Sequence, residues 1–271
     1  MEMNHLISTA LYKREMKRSI KLLLIFCTVL TMYIAIIISM YKPELAKMLD
    51  KYVELMPELM ASFGMTGDAT TLTGFMCSYL YGFILLIIPM LFSIIRGNGL
   101  IAGYVDKGSM VSLLSAPLKR RTVVLTQMAV LISGILLLNL YITAVELFFA
   151  EYDYPDQLHI GHLLSLNTGL LFLHLFIGSI CFTASCVFSD TKYSVGAGAG
   201  IPVLMYILKM LANMGDKADN IKYLTFFTLF NPDGIVDGEL KAVIGIIVLL
   251  TGAVILFTSS VVVFCRKDLN I

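Results

Sequence analysis

Polar and apolar residues are segregated along this chain into six long apolar runs separated by polar breaks: Leu22–Tyr41, Phe75–Ile95, Thr122–Phe149, His162–Phe188, Val195–Ala212 and Lys241–Cys265. A helix rises about 1.5 Å per residue and needs roughly 20 residues to cross a hydrocarbon core of about 30 Å. The pattern therefore predicts an all-α membrane protein with six transmembrane helices, forming one transmembrane domain over residues 1–271. Pro43 ends the first run, and Pro89 near the inner end of the second predicts a kink.

The polar breaks carry patterns of their own. In residues 1–21, Met3, Leu6, Ile7, Ala10 and Leu11 fall on one helical face, and Lys13, Arg14, Lys17, Arg18 and Lys21 crowd the membrane end. That is the pattern of a helix lying in the headgroup plane, with an ordinary polar leader as the plain alternative. Residues 42–72 alternate charges with Leu45, Met48, Leu49 and Val53, predicting an amphipathic loop helix stopped by Pro57, Gly64 and Gly67. Ser189–Ser194 reads as a tight turn. Residues 213–240 form a polar loop interrupted by the aromatic patch Tyr223–Phe230, and the NPDG that follows reads as a turn.

Arg96–Arg121 is the break around which the rest is organised. Leu100, Ile101, Tyr104, Met110, Val111, Leu113 and Leu114 give it apolar stripes at helical spacing. Asp106 suits its first turns, Pro117 stops it, and Lys119, Arg120 and Arg121 follow. A short surface helix between two spans is a natural docking knob for a partner.

Composition agrees with the pattern: 58% of residues are hydrophobic and 14% charged, against about 45–50% and about 25% in soluble domains. The net charge of +1 hides segregation. With the N-terminus inside, Lys13 to Lys21, Arg96, Lys107, Lys119 to Arg121, Lys192, Arg266 and Lys267 fall in cytoplasmic segments, and most acidic residues fall outside. An even number of spans then puts both termini in the cytosol. The run after Lys21 is too long for a cleaved signal peptide and reads as a signal anchor that stays. The chain has no Trp, so interfacial anchoring falls to Tyr, Lys and Arg. Cys27, Cys77, Cys181, Cys186 and Cys265 all lie in or beside apolar runs, without CxxC or Cys/His spacing for zinc, and read as small hydrophobes. No catalytic residue, no metal site and no nucleic-acid partner is expected.

Few chemical groups lie within the spans. Asn139 and His174 read as interhelical hydrogen-bonding groups. Glu146, near the outer end of the third span, reads first as an interfacial carboxylate reaching water and second as a contact for a cationic substrate. Gly196, Gly198 and Gly200 open the fifth span and read either as a close-packing surface or as a softened helix start. Phe226 and Phe227 belong to the aromatic patch, read as a gate at the outer mouth or as interfacial anchors.

The order of these features resembles the permease subunits of type-2 ABC exporters. The family pattern LIAGE-x-E-+-GT-x-E-LLLSLP is matched by Leu100-Ile101-Ala102-Gly103, then Tyr104-Val105-Asp106-Lys107-Gly108-Ser109, then Leu113-Leu114-Ser115-Ala116-Pro117. Tyr104 takes the place of one family glutamate, and Asp106 keeps the other. Met56–Met65 resembles the family's first outer loop. Lys222–Gly238 resembles its outer loop before the last span, which implies a re-entrant helix there. The resemblance implies that Gly103–Ser115 is the coupling helix, with Leu100, Ile101, Ala102, Gly103, Tyr104, Asp106, Lys107, Gly108, Ser109, Leu113 and Leu114 as the ATPase contact. It implies that the second and fifth spans line a permease dimer interface and the substrate pathway, with Gly196, Gly198, Gly200, Asn139, Glu146, Phe226 and Phe227 as the candidate lining. It further implies two copies of an ABC ATP-binding subunit and a second permease chain, the same or homologous.

No G-x-x-x-x-G-K-[ST] stretch is present, so ATP and Mg are expected on that partner and no cofactor on this chain. The expected setting is the cell membrane of a bacterium, with lipid around every span. A nearly uncharged interior suits a drug, an antimicrobial peptide or a lipid as cargo. Two other classes fit less well. A secondary transporter predicts midplane charges and repeated broken helices, and an intramembrane enzyme needs paired catalytic groups at membrane depth; the spans offer neither.

Overall fold

The computed structural model describes residues 6–42, 48, 51, 55–65, 71–115, 118–214 and 216–267. Among these residues, six helices are long and apolar enough to cross a membrane: Thr9–Ser39, Leu72–Gly99, Arg120–Asp153, Ile160–Val187, Thr191–Ala212 and Leu240–Arg266. No strand occurs among the described residues. In their most apolar stretches the second and fourth spans are 67% and 61% buried, whereas the first, fifth and sixth are 22% buried. The second and fourth therefore form the inside of the bundle. The fourth is the hub, packing against the sixth, second, fifth and third, while the first lies along the third.

Each helix extends beyond its apolar run at one end at least, while the first and fourth stop short of theirs at Ser39 and Val187. The largest difference is at the N-terminus. The expected interfacial helix and the first span are one unbroken helix, Thr9–Ser39, begun by Ser8, whose side chain accepts from the amide of Leu11. No Gly or Pro interrupts residues 9–42, so nothing in the chain breaks the backbone ladder where the basic face meets the apolar run. The amphipathic helix expected within residues 42–72 lies, before Pro57, mostly outside the described residues; Pro57–Ser62 is helical, with Pro57 at its first turn.

The second span departs from regular α geometry. Cys77–Ile84 is π-helical, and Leu85–Gly99 continues as α-helix with Pro89 inside it. Pro89 has no N–H for the carbonyl of Leu85, four residues earlier. That oxygen is taken by His174 of the fourth span, whose Nε2 lies 2.8 Å away. A carbonyl only accepts, so Nε2 is the protonated ring nitrogen. Within the π-helical turn, the carbonyl of Gly82 accepts from Lys209 Nζ of the fifth span at 3.3 Å.

The fifth span begins at Thr191, with Asp190 accepting from the amide of Lys192 as its cap. Gly196, Gly198 and Gly200 thus lie roughly one and a half to two and a half turns inside the helix rather than opening it. NPDG is not a turn: Pro232 starts a short helix, Pro232–Val236, because a missing N–H at the first helical position leaves nothing unpaired.

Candidate functional site

Leaving the second span, the chain is fastened at once to the fourth. The Ser185 hydroxyl accepts from the amides of Ile101 (3.2 Å) and Ala102 (2.8 Å) and donates to the carbonyl of Asn98 (3.0 Å). One side chain thus satisfies backbone groups that a helix end leaves without partners. Asn98 Oδ1 in turn accepts from Ser194 Oγ of the fifth span at 2.9 Å.

The expected single helix is two short ones, Ala102–Asp106 and Ser109–Leu114. Gly108 separates them in the left-handed region, φ +66°, where only glycine sits without strain. Ser109 Oγ bridges the break by donating to the carbonyl of Tyr104 at 3.2 Å. The break decides which side chains face out. Leu100, Ile101, Ala102, Tyr104, Met110 and Leu113 are buried against the bundle. Gly103, Val105 and Ser109 are half-buried, and Asp106, Lys107, Gly108, Val111 and Ser112 are exposed. Leu114 ends the second helix. Leu100, Ile101 and Ala102 seat the segment on the spans. Their apolar surface is removed from water and lipid under the spans, which is where the hydrophobic effect places it.

A second fastening was not expected. The Tyr104 hydroxyl donates to Glu15 Oε1 of the first span. Arg96, at the end of the second span, places Nη2 3.3 Å from Glu15 Oε2 and 3.4 Å from the Glu15 carbonyl. Glu15 is 1% exposed and Arg96 8%. Burial and the Glu15 carboxylate both push the Tyr104 hydroxyl above its usual pKa. In sequence, Glu15 is a single acid inside a basic run, and Arg96 closes an apolar run. That is the one signal available, and it does not pair them. Through Glu15, Arg96, Ser185 and Asn98, the 100–115 segment is tied to the first, second, fourth and fifth spans.

The remaining candidates divide. Glu146 is fully buried, not at water. Its Oε2 accepts from Tyr81 Oη at 2.9 Å and Asn167 Nδ2 at 2.7 Å, and Asn139 Nδ2 donates to the Asn167 carbonyl at 3.1 Å. These partners, supplied by the second and fourth spans, make the buried position tenable. Glu146 therefore ties three spans together. Gly198 is a close-packing glycine: a Cβ there would lie 2.4 Å from Asn98 Oδ1, whereas Gly196 and Gly200 face open space. Phe227 is fully buried, stacked on Phe226 at 4.7 Å and edge-on to Tyr206 at 5.4 Å, and Phe226 packs on Phe176 of the fourth span. The aromatic patch is held in the bundle by Thr225 Oγ1, which donates to the Met205 carbonyl at 2.7 Å.

Six apolar helices, most of them packed on the buried fourth and several tied to one another by buried polar side chains, define a multi-pass membrane protein. Residues 9–269 match the family described as ABC-2 family transporter protein, and the chain belongs to that family. It is thus an ABC transporter permease, and membership implies association with an ABC ATP-binding subunit. No curated protein and no solved structure matches the chain.

Proposed function

We propose that this chain forms the substrate pathway of an ATP-driven exporter, as a dimer with an identical or homologous permease, in the cell membrane of a bacterium. The 100–115 segment faces the cytosol with both termini and seats on the ATP-binding subunit, one for each permease. Closure of those subunits on ATP and Mg pushes the exposed Asp106–Val111 surface. The push passes through Tyr104, Glu15 and Arg96 into the first and second spans, and through Ser185 into the fourth. The cargo is amphipathic or hydrophobic: a drug, an antimicrobial peptide or a lipid.

The observation carrying this reading is the double character of the segment, exposed at Asp106, Lys107, Val111 and Ser112 yet fastened to four spans. A passive connector needs no such anchorage. Affinity purification of the chain from its native membrane is the test. An ABC ATP-binding subunit recovered in equal amount supports the reading, and a chain recovered without one overturns it.

A further inference from the structure

The third and sixth spans leave a groove of about 610 Å³ between them. One wall runs from Arg121 through Met128 to Ile132, and the other from Arg266 through Val261 back to Val254. At about 1.5 Å per residue these walls are about 17 and 18 Å long, which is close to one leaflet of a hydrocarbon core of about 30 Å. Both arginines sit at the same end. Neither makes a hydrogen bond or an ion pair with any described residue.

Their neighbours are already occupied. Arg120 Nη1 donates to the Lys267 carbonyl at 2.9 Å, which clamps the two helix ends together. Lys267 Nζ donates to the carbonyls of Val187 (2.7 Å) and Cys186 (3.4 Å) at the end of the fourth span. Arg121 and Arg266 have their whole guanidinium groups uncommitted among the described residues, and they flank the mouth of the groove, whose lining does not include Arg120.

We infer that this groove is a binding site for one anionic phospholipid of the leaflet on the 100–115 side, its phosphate between Arg121 and Arg266 and an acyl chain along Met128 and Val254. A guanidinium fork suits phosphate geometry, and basic pockets between spanning helices attract anionic headgroups. The occupant is a resident lipid, so the inference stands apart from the identity of the cargo.

The chain has no Trp, so a single reporter, Met128→Trp, reads the groove by fluorescence. The full chain is reconstituted in phosphatidylcholine vesicles with graded amounts of brominated phosphatidylglycerol or brominated phosphatidylcholine. Phosphatidylglycerol is expected to quench with an affinity at least about fivefold higher, a preference that two surface arginines can supply. A Leu140→Trp reporter, on an exposed face of the same span, is expected to show no preference. Arg121→Gln with Arg266→Gln should bring the ratio near one, Arg121→Lys with Arg266→Lys should keep much of it, and added inorganic phosphate should not relieve quenching. Equal quenching by the two lipids overturns the inference. So does a preference that survives loss of both charges, relief by free phosphate, or a Met128→Trp signal that neither lipid reaches because protein covers the groove.

Discussion

Arg96 of the second span places Nη2 3.3 Å from Oε2 of Glu15 in the first, with both side chains almost wholly withdrawn from solvent. Removing one partner of such a pair strands the other charge, which costs about 3–5 kcal/mol, whereas replacing all partners with apolar groups is often close to neutral. Glu15→Ala is therefore expected to lower stability by about 3 kcal/mol in detergent unfolding. Glu15→Leu combined with Arg96→Met and Tyr104→Phe should recover most of the loss. A single variant as stable as the parent would contradict the pairing.

Tyr104 gives the same cluster a pH signature. Its hydroxyl is held above the ordinary value of 10.0, first by burial and then by Glu15. The folded state keeps this proton after the unfolded chain has released it. The contribution is therefore complete below about pH 10 and falls as pH rises further. Unfolding midpoints of parent and Tyr104→Phe, compared from neutral to alkaline pH, should diverge least at high pH; a constant difference would count against the assignment.

How much of this was legible in the sequence differs from element to element. The spans were, because an apolar run of sufficient length has one stable solution in a bilayer. The continuity of Thr9–Ser39 was hidden by the change from a basic to an apolar face midway, although the lack of Gly and Pro was the better guide. The position of the 100–115 segment was legible, but not its division, because the apolar stripes run through the residue that breaks them, Gly108. The burial of Glu146 was not legible, because a buried carboxylate depends on donors from Tyr81 and Asn167, 65 and 21 residues away, and no local pattern carries that.

That cluster is testable in its own right. Glu146→Gln keeps an acceptor for Tyr81 and Asn167 and should change stability by less than about 1 kcal/mol. Glu146→Leu leaves their donors competing for what remains and should cost about 1–3 kcal/mol. Thermal unfolding of the two variants checks this, and equal losses would argue against the hydrogen bonds as the cause.

The fifth-span glycines make a contrast. Gly198→Val places a methyl-bearing carbon against Asn98 and should displace it from Ser194, with a loss of about 1–3 kcal/mol from overpacking. Gly196→Ala and Gly200→Ala meet open space within this chain and should be neutral or stabilising by about 0.5–1 kcal/mol. Detergent unfolding of the three variants decides; if all three lose equally, the close approach at Gly198 is not special.

His174 repairs the ladder that Pro89 breaks. His174→Phe leaves the Leu85 carbonyl unpaired in the bundle interior, at a cost of about 1 kcal/mol. Replacing Pro89 by Ala in the same chain restores an amide at that position and should make the His174 change nearly harmless. Additive losses in the double variant would show that the two residues do not share the carbonyl.

The central claim is that the exposed surface of the 100–115 segment delivers work from a nucleotide-binding partner to the spans. It is tested most directly by the ATP hydrolysis rate of the co-purified ABC subunit, measured in lipid nanodiscs with the parent chain and with Val111→Arg or Asp106→Lys. Both sites are exposed, so the folded permease should be intact in each variant. The account predicts that the permease-dependent part of the hydrolysis rate falls severalfold in both variants while their unfolding midpoints stay at the parent value. Parent-like rates in both, with the variants correctly inserted, would contradict it.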